Sequence, residues 1–378
     1  MAIENNNNKV LNVPALRFPE FTEEWNYESL DTIAPNITSG RSKPSLGEYN
    51  LYGSTGIIGK TATADYSGDM LLVARVGANA GSLQLVNDSC GITDNTLIIK
   101  PCKLSSHYLY FYLQHYNLNR LVFGSGQPLI TAGMLKKVRI PFGNQLEQKK
   151  IENFLCCIDE RITTQNKIIE DLKKLKSTIV EMLFCKQGGV LLKLGDIGCF
   201  VRGLTYSSED VAEDINATTV IRANNLNYGN NVNKEDVVYV NKKPTEIQIL
   251  RKGDIVICMA NGSSSLVGKN SYYSFDDRQS TIGTFCGIYR TSQPLVKWLM
   301  QSQRYKRLVY QSLQGGNGAI ANLNGDDILN MTFHVVENEK SVSILSTLGL
   351  IENSIAVNEN LQALYSIQKA YLLQQLFI

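Results

Sequence analysis

The sequence predicts an α+β protein with two pseudo-repeated mixed α/β domains, separated by two long antiparallel coiled-coil helices. Two helical segments align without a gap at a constant shift of 193 residues, which places Ile151 on Ile344. The segments before them match each other more loosely, in the same order. Both helical segments repeat apolar residues every 3.5 residues, a period typical of a coiled coil.

The two helices are predicted over residues 146–184 and 339–377, each on the order of 55 Å long at about 1.5 Å per residue. One position of the apolar seam is polar in both copies, Gln165 in the first and Asn358 in the second. Because midpoints meet in an antiparallel pair, we expect these residues to face each other and to fix the register at some cost in stability. The residues expected to pair the helices are Ile151, Leu155, Ile158, Ile162, Gln165, Leu172, Ile179, Ile344, Leu348, Ile351, Ile355, Asn358 and Leu372.

The chain therefore divides into a first globular domain (1–145), a central helix (146–189), a second globular domain (190–337) and a C-terminal helix (338–378). Short β-branched runs such as MLLVARV and DIVICMA, bounded by Gly, Asn, Asp and Ser, predict strands in both domains. One helix is also predicted in each domain, over residues 105–123 and 293–313.

Length and charge set limits on the function. A chain of 378 residues suits two or three domains. With 37 Lys and Arg against 35 Asp and Glu, the net charge of +2 does not by itself indicate a nucleic-acid partner. We expect no membrane span, no secretory signal and a cytoplasmic location, with the eight cysteines reduced.

The residues needed for common chemistries are missing. The chain has no Pro-Pro pair of the kind that holds a flipped adenine in DNA methyltransferases, and no phosphate-binding G-x-x-x-x-G-K-[ST] loop. Three histidines and no C-x-x-C pair give no catalytic triad and no zinc site. The sequence therefore indicates a binding protein with no catalytic and no metal-ligating residues.

Several blocks resemble the specificity subunits of Type I restriction-modification systems. VPALRFPEFTEEW (13–25) is similar to the family's opening, and YGSTGIIGK (52–60) and VIRANNLNYGN (220–230) resemble blocks of its globular domains. LEQKKIENFLCCIDERI (146–162) resembles the start of the family's first spacer helix. The second helix departs from this pattern, because EKSVSI replaces the usual E-Q-x-x-I.

The resemblance implies a non-catalytic subunit that reads a bipartite, asymmetric site on double-stranded DNA. Each globular domain would be a target-recognition domain for one half-site, and the helices would set the gap and dock two methyltransferase subunits. This chain would need no cofactor. S-adenosylmethionine would belong to the methyltransferase partner, and ATP and magnesium to the restriction (translocase) subunits.

Residues expected to contact DNA are polar or basic and lie in loops beside strands. Arg75 and Arg222 stand out, because they interrupt strand patterns in which arginine is unusual. In the first domain the residues are Ser39, Arg41, Lys43, Lys60, Arg75, Asn79 and Gln127. In the second they are Arg202, Thr205, Tyr206, Arg222, Asn224, Asn225, Asn261 and Lys269.

Two other functions remain open at this point. One is the specificity subunit of a two-subunit (Type IIB-like) restriction-modification system, in which methylation and cleavage share the partner chain. The other is a coiled-coil scaffold whose globular ends bind protein or glycan.

Overall fold

The structure of the protein is a computed structural model that describes residues 12–122, 128–184, 189–313, 321–335 and 339–378. It groups the chain into two compact units, which are described separately below. Unit 1 comprises Met1–Lys167 with Glu359–Ile378, and unit 2 comprises Ile168–Asn358. Each unit thus combines one globular segment with part of each long helix.

The first globular segment alternates short strands with short helices. In chain order its elements are β1 (Asn26–Ser29), α1 (Leu30–Ile33), β2 (Thr38–Ser39), β3 (Tyr49–Gly53), β4 (Gly56–Thr61), β5 (Asp69–Ala74), β6 (Leu83–Asn87), β7 (Gly91–Ile92), β8 (Thr96–Ile99), α2 (Ser106–Tyr116), α3 (Ala132–Lys136) and β9 (Arg139–Phe142). The first long helix, α4, follows at Gln145–Phe184. Asn144 caps its start, since the Asn144 Oδ1 accepts a hydrogen bond from the Glu147 backbone N–H at 3.0 Å.

The second globular segment repeats this alternation. Its elements are β10 (Val190–Lys193), α5 (Leu194–Ile197), β11 (Gly198–Arg202), β12 (Val211–Ala212), β13 (Thr218–Ile221), β14 (Val238–Val240), β15 (Ile255–Cys258), β16 (Ala260–Asn261), β17 (Asn270–Tyr272), β18 (Ser280–Ile282), β19 (Cys286–Thr291), α6 (Val296–Leu299), α7 (Gln303–Leu313), β20 (Ala321–Asn322), α8 (Gly325–Leu329) and β21 (Thr332–Val335). The second long helix, α9, spans Glu339–Leu376.

The sheets of the two units have matching topologies. An antiparallel four-stranded sheet has the order β2-β8-β5-β6 in unit 1 and β11-β19-β15-β17 in unit 2. A second sheet contains one parallel pair, β3 with β7 in unit 1 and β13 with β18 in unit 2. Each globular segment also pairs its first strand with its last, β1 with β9 and β10 with β21. The predicted mixed α/β duplication is therefore confirmed at the level of strand order.

Each unit has a core that joins the long helices to the globular segment. In unit 1, Ile151 and Leu155 of α4 share a buried cluster with Leu372 of α9 and with Tyr108 of α2. In unit 2, Val180 of α4 shares one with Leu348 and with Trp298 of α6. Within each unit, residues near one end of α4 meet residues near the opposite end of α9. The two helices therefore run antiparallel.

The helix seam differs in detail from its prediction. Among the expected pairing residues, Ile151, Leu155, Ile158, Leu348, Ile351, Ile355 and Leu372 are buried, whereas Ile162, Leu172, Ile179 and Ile344 are half-buried. Val180 (1% exposed) is more buried than its neighbour Ile179. Gln165 is buried at 6%, and the half-buried Asn358 donates its Nδ2 to the Ser354 carbonyl at 2.6 Å. That Gln165 and Asn358 face each other stays a prediction.

Two predicted helices are shorter than expected. The helix predicted over residues 105–123 ends at Tyr116, because Asn117 adopts a left-handed backbone conformation with φ 57°. The helix predicted over residues 293–313 is broken into α6 and α7. Ser302 starts the second piece, since its Oγ donates to the Leu299 carbonyl at 2.7 Å and accepts from the Tyr305 N–H at 3.2 Å.

Candidate nucleic-acid interface

In unit 1, polar side chains gather at one end of the four-stranded sheet, where β2 and β5 end and β8 begins. This end is called the sheet edge below. Arg75 follows β5, Arg41 lies two residues past β2, and Asn95 immediately precedes β8. The backbone holds these ends together, because the Arg75 N–H donates to the Asn95 carbonyl at 2.8 Å and the Gly40 N–H donates to the Thr96 carbonyl at 3.0 Å. The hydroxyl of Ser54, in the β3–β4 turn, also donates to the Asn95 carbonyl, at 3.1 Å.

Arg75 is the most suggestive side chain at this edge. The sequence places it inside a strand, but β5 ends at Ala74, so Arg75 is the first residue beyond the strand. Its Nε is buried and has no hydrogen-bond partner among the described residues. Because an unpaired buried donor costs free energy, a guanidinium held in this way is suited to accept a ligand with oxygen or nitrogen acceptors.

The other predicted residues of unit 1 vary in position. Ser39 belongs to β2, and Arg41, Lys43 and Asn79 are exposed in loops. Lys60 lies at the open end of the β3–β4 hairpin, where its Nζ donates to the Glu48 carbonyl at 3.1 Å and to the Asn50 Oδ1 at 2.9 Å. The structure therefore separates Lys60 from the sheet edge. Gln127 lies outside the described residues.

In unit 2, two clefts open at the equivalent sheet edge. The larger cleft, of about 520 Å³, is lined on its polar side by Tyr206, Ser207, Ser208, Arg222, Asn224, Asn261 and Thr284. The second, of about 390 Å³, is lined on its polar side by Arg202, Thr205, Thr284, Asn322 and Asn324. Phe285 and Cys286 line both clefts. Burial, together with the nearby Cys258, raises the pKa of the Cys286 thiol to about 12, so this shared wall is uncharged.

Arg222 and Asn224 are positioned by the carboxylate of Asp236, a residue that was not among the predicted site residues. Arg222 follows the end of β13 at Ile221, so it too lies just beyond a strand and not inside one. Its Nη2 donates to the Asp236 carbonyl at 3.1 Å and lies 3.5 Å from the Asp236 carboxylate. The Asn224 Nδ2 donates to that carboxylate at 2.9 Å. The Arg222 Nε is buried and has no partner within the described part of the chain.

That Asn225 contacts DNA stays a prediction, and in this structure its side chain is buried. Its side chain is 2% exposed. The Asn225 Oδ1 accepts from the Arg222 N–H at 2.9 Å, and the Nδ2 donates to the Glu235 carbonyl at 2.8 Å. Both ends of the amide are therefore used to hold the turn that presents Arg222 and Asn224.

The remaining predicted residues of unit 2 fall into two groups. Arg202, Thr205, Tyr206 and Asn261 line the clefts. Lys269 precedes β17, the edge strand, and lines neither cleft. Sequence reasoning missed Phe285, Asp236 and Asn95. No sequence signal marks Phe285, because Cys286, Ile288 and Tyr289 follow it closely in an apolar pattern that also suits burial.

Two further searches concern only the residues that the structure describes. They hold no group of three or more His, Cys, Asp and Glu side chains able to bind a metal ion. They also include no helix with the length and apolar character needed to cross a membrane.

Comparison with known proteins gives this site a context. A model of the Type I restriction modification DNA specificity domain matches residues 8–174. This part of the chain is a Type I restriction-modification DNA specificity domain. The match covers the first globular segment from residue 8 and α4 as far as residue 174, so it includes the sheet edge that carries Arg75 but not the α9 part of unit 1.

Individual members of the Type I specificity family align over parts of the chain. The specificity subunit of the Escherichia coli K12 restriction enzyme EcoKI is 28% identical over 138 residues, which is 35% of this chain and 29% of that subunit. A putative Type I specificity subunit from Mycoplasma genitalium is 29% identical over 159 residues, 37% of this chain and 42% of the relative. The chain thus spans less than half the length of these curated relatives.

Solved structures share the fold over nearly the whole chain. The crystal structure of the Type I S subunit from M. genitalium superposes with a TM-score of 0.66 at 17% identity and covers 97% of this chain and 99% of that one. A chain from a structural study of assembly and conformational transition in the Type I system superposes with a TM-score of 0.53 at 14% identity, covering 93% and 97%. At such low identity these likenesses show the fold alone.

Proposed function

We propose that this chain is the non-catalytic DNA sequence-specificity subunit of a Type I restriction-modification complex, and that it reads a bipartite, asymmetric site. One observation carries the proposal: the same sheet edge occurs in both units but bears different side chains. The backbone N–H after β5 belongs to Arg75 and donates to Asn95, whereas the one after β15 belongs to Met259 and donates to Phe285. Two related readers with different side chains suit two different half-sites.

The cleft residues fit DNA recognition chemically. Arginine and asparagine side chains can form paired hydrogen bonds to guanine and adenine, and serine and threonine hydroxyls contact phosphates or base edges. The chain is nearly neutral overall, so these contacts contribute more to sequence specificity than to sequence-independent affinity for DNA. Much of the electrostatic attraction to DNA would come from partner subunits.

The long helices are the proposed docking elements for methyltransferase subunits. Helix α9 carries Leu350, Val357, Leu364 and Tyr371 at seven-residue spacing, each more than half exposed. A repeat of large apolar side chains along one exposed helix face is typical of a surface that packs against another helix. Catalysis would then belong to the partners, with S-adenosylmethionine in the methyltransferase and ATP with magnesium in the restriction subunits.

Gel-shift competition tests this function. The chain is mixed with a methyltransferase subunit encoded beside it, and a duplex carrying the methylated sequence of the host competes against scrambled duplexes. We expect specific retention with the partner and weak, salt-sensitive retention without it. Equal competition by scrambled DNA in the presence of the partner would contradict the proposal, as would methylation or cleavage of DNA by the purified chain alone.

A further inference from the structure

Phe285 lies exposed between the two clefts of unit 2. It occupies the turn between β18 and β19, and 66% of its side chain is exposed. Burying an aromatic side chain of this size contributes about 1.5–3 kcal/mol, a gain that this ring forgoes in the free chain and would make on covering by a ligand.

The backbone around Phe285 is held firmly. Its carbonyl accepts from the Met259 N–H at 2.8 Å and from the Ala260 N–H at 3.3 Å. The Cys286 N–H donates to the Gly283 carbonyl at 3.0 Å, and the Thr284 Oγ1 donates to the Leu204 carbonyl at 3.2 Å. The ring therefore projects from a fixed turn, as an inserting side chain needs.

The surroundings of Phe285 differ on its two sides but have the same chemical character. One cleft offers Arg222 and Asn224, and the other offers Arg202 and Thr205. Each cleft is thus lined by the Phe285 ring and by hydrogen-bond donors suited to a base edge or a phosphate. An aromatic ring flanked by two clefts that both carry hydrogen-bonding side chains matches two adjacent nucleotides that have been pushed apart.

We propose that Phe285 inserts between two neighbouring bases of the half-site read by unit 2 and partly unstacks them. This inference rests on the proposed function and assigns a specificity-determining residue to it. Apolar wedges of this kind kink DNA at flexible steps, and the cost of unstacking depends on the sequence. Asn95 occupies the equivalent position in unit 1, so the other half-site would be read without a wedge.

Fluorescence of 2-aminopurine tests this inference in the complex with the methyltransferase partner. The probe is placed singly at half-site positions other than the methylated adenine, because base flipping alone brightens that position. We expect a fluorescence increase at one step of the half-site read by unit 2 and none in the other half-site. In the Phe285→Ala variant the increase disappears and the affinity for the specific site falls roughly 5- to 150-fold.

Two variants separate insertion from other effects. Tyr310→Ala is the matched control, since it removes another largely exposed aromatic ring of unit 2 that lines neither cleft, and it should leave the fluorescence increase intact. Phe285→Leu keeps an apolar wedge and should retain part of the increase. Equal melting temperatures of the variants exclude misfolding as a cause.

The outcomes distinguish this inference from the proposed function. Specific binding by the wild-type complex without a Phe285-dependent increase would overturn the inference and leave the function standing. A second result would also overturn the inference. If replacing thymine by deoxyuridine changes the affinity while 2-aminopurine fluorescence does not increase, the ring lies against a thymine methyl group and is not inserted between bases. Absence of specific binding by the wild-type complex would instead contradict the function.

Discussion

Lys369 of α9 and Asp159 of α4 form an ion pair, with Nζ 2.6 Å from the Asp159 Oδ1. The chain repeats this pair 193 residues away, where Lys176 of α4 lies 3.2 Å from Glu352 of α9. Each lysine also lies against an aromatic ring of its own unit, Lys369 at 5.4 Å from the centre of Phe111 and Lys176 at 5.3 Å from that of Trp298. The duplication thus includes a clasp that ties the helices to the globular segment.

Breaking the clasp of unit 1 should destabilise that unit. The pair is only partly exposed, so its loss should cost more than that of a surface ion pair and less than that of a buried one. Asp159→Asn should therefore lower the free energy of unfolding by about 1–2 kcal/mol. A double-mutant cycle of Asp159→Asn with Lys369→Met, followed by urea unfolding, should give a coupling of roughly 0.5–3 kcal/mol. The exposed pair of Glu170 and Lys174 is the matched control, and its coupling energy should be about 0.5 kcal/mol or less. Equal couplings for both pairs would argue against the clasp.

The polar residues of the helix seam should specify how the helices pair. Replacing Gln165 and Asn358 together by leucine should leave the helical content unchanged and raise thermal stability, but reduce the uniqueness of pairing and assembly. Circular dichroism, light scattering and disulfide crosslinking at engineered positions along the seam measure these properties. An unaltered register and assembly state in the double variant would count against this role.

Arg75 should supply sequence choice in one half-site. If its guanidinium forks onto a guanine, Arg75→Ala lowers the affinity for the specific site by about 1–3 kcal/mol and relaxes selection at one position. Arg139→Ala is the control, since Arg139 also carries a positive charge in unit 1 but stacks on Tyr27. Competition binding with singly substituted duplexes measures the effect. A uniform loss for all DNA sequences would make Arg75 a phosphate contact instead.

Asp236 should hold in place two side chains proposed to read the second half-site, Arg222 and Asn224. Asp236→Ala removes a negative charge and frees Asn224, while Arg222 keeps only its bond to the backbone carbonyl, so binding to random DNA should tighten while the preference for the specific site falls. Salt titrations of specific and random duplexes measure both changes. Asp214→Ala, which removes an exposed charge elsewhere in unit 2, should change neither preference. A preference unchanged in Asp236→Ala would show that the carboxylate does not position these side chains.

Asp277 should make unit 2 sensitive to acid. Burial acts to raise the pKa of this carboxyl, but hydrogen bonds from Lys234 and Tyr273 outweigh it and lower the pKa to about 2. A lowered pKa contributes stability above the unfolded value near 3.8, and that stability is lost as the pH falls from about 4 towards 2. Urea unfolding at several pH values should show this loss in the wild type and less of it in Asp277→Asn. Parallel curves for the two proteins would contradict the assignment.

The helices and the duplication could be predicted because they depend on periodicity. The seam period and the shift of 193 residues are visible in the sequence alone. The clasp was not predicted, because Lys176 and Lys369 look like surface charges although their stems are largely buried. Likewise, α6 and α7 were predicted as one helix, since the capping role of Ser302 depends on the local backbone.

The interface could be predicted only in outline. Polar residues near strand ends were found from composition, but the burial of Asn225 and the separation of Lys60 depend on hydrogen bonds to distant backbone groups. Phe285 was missed because only the tertiary structure places its turn between two clefts. Side chains at such an edge come from segments far apart in the chain, so spacing along the sequence does not reveal which of them meet.

The central claim is that two different readers select two different half-sites. It is tested most directly by mapping methylated adenines in a genome where this chain is expressed with its methyltransferase partner. We predict one motif made of two unlike half-sites with a fixed gap, and a change confined to one half-site in Arg75→Ala and to the other in Phe285→Ala. A single uninterrupted motif, or one symmetric motif altered equally in both halves by either variant, would contradict the claim.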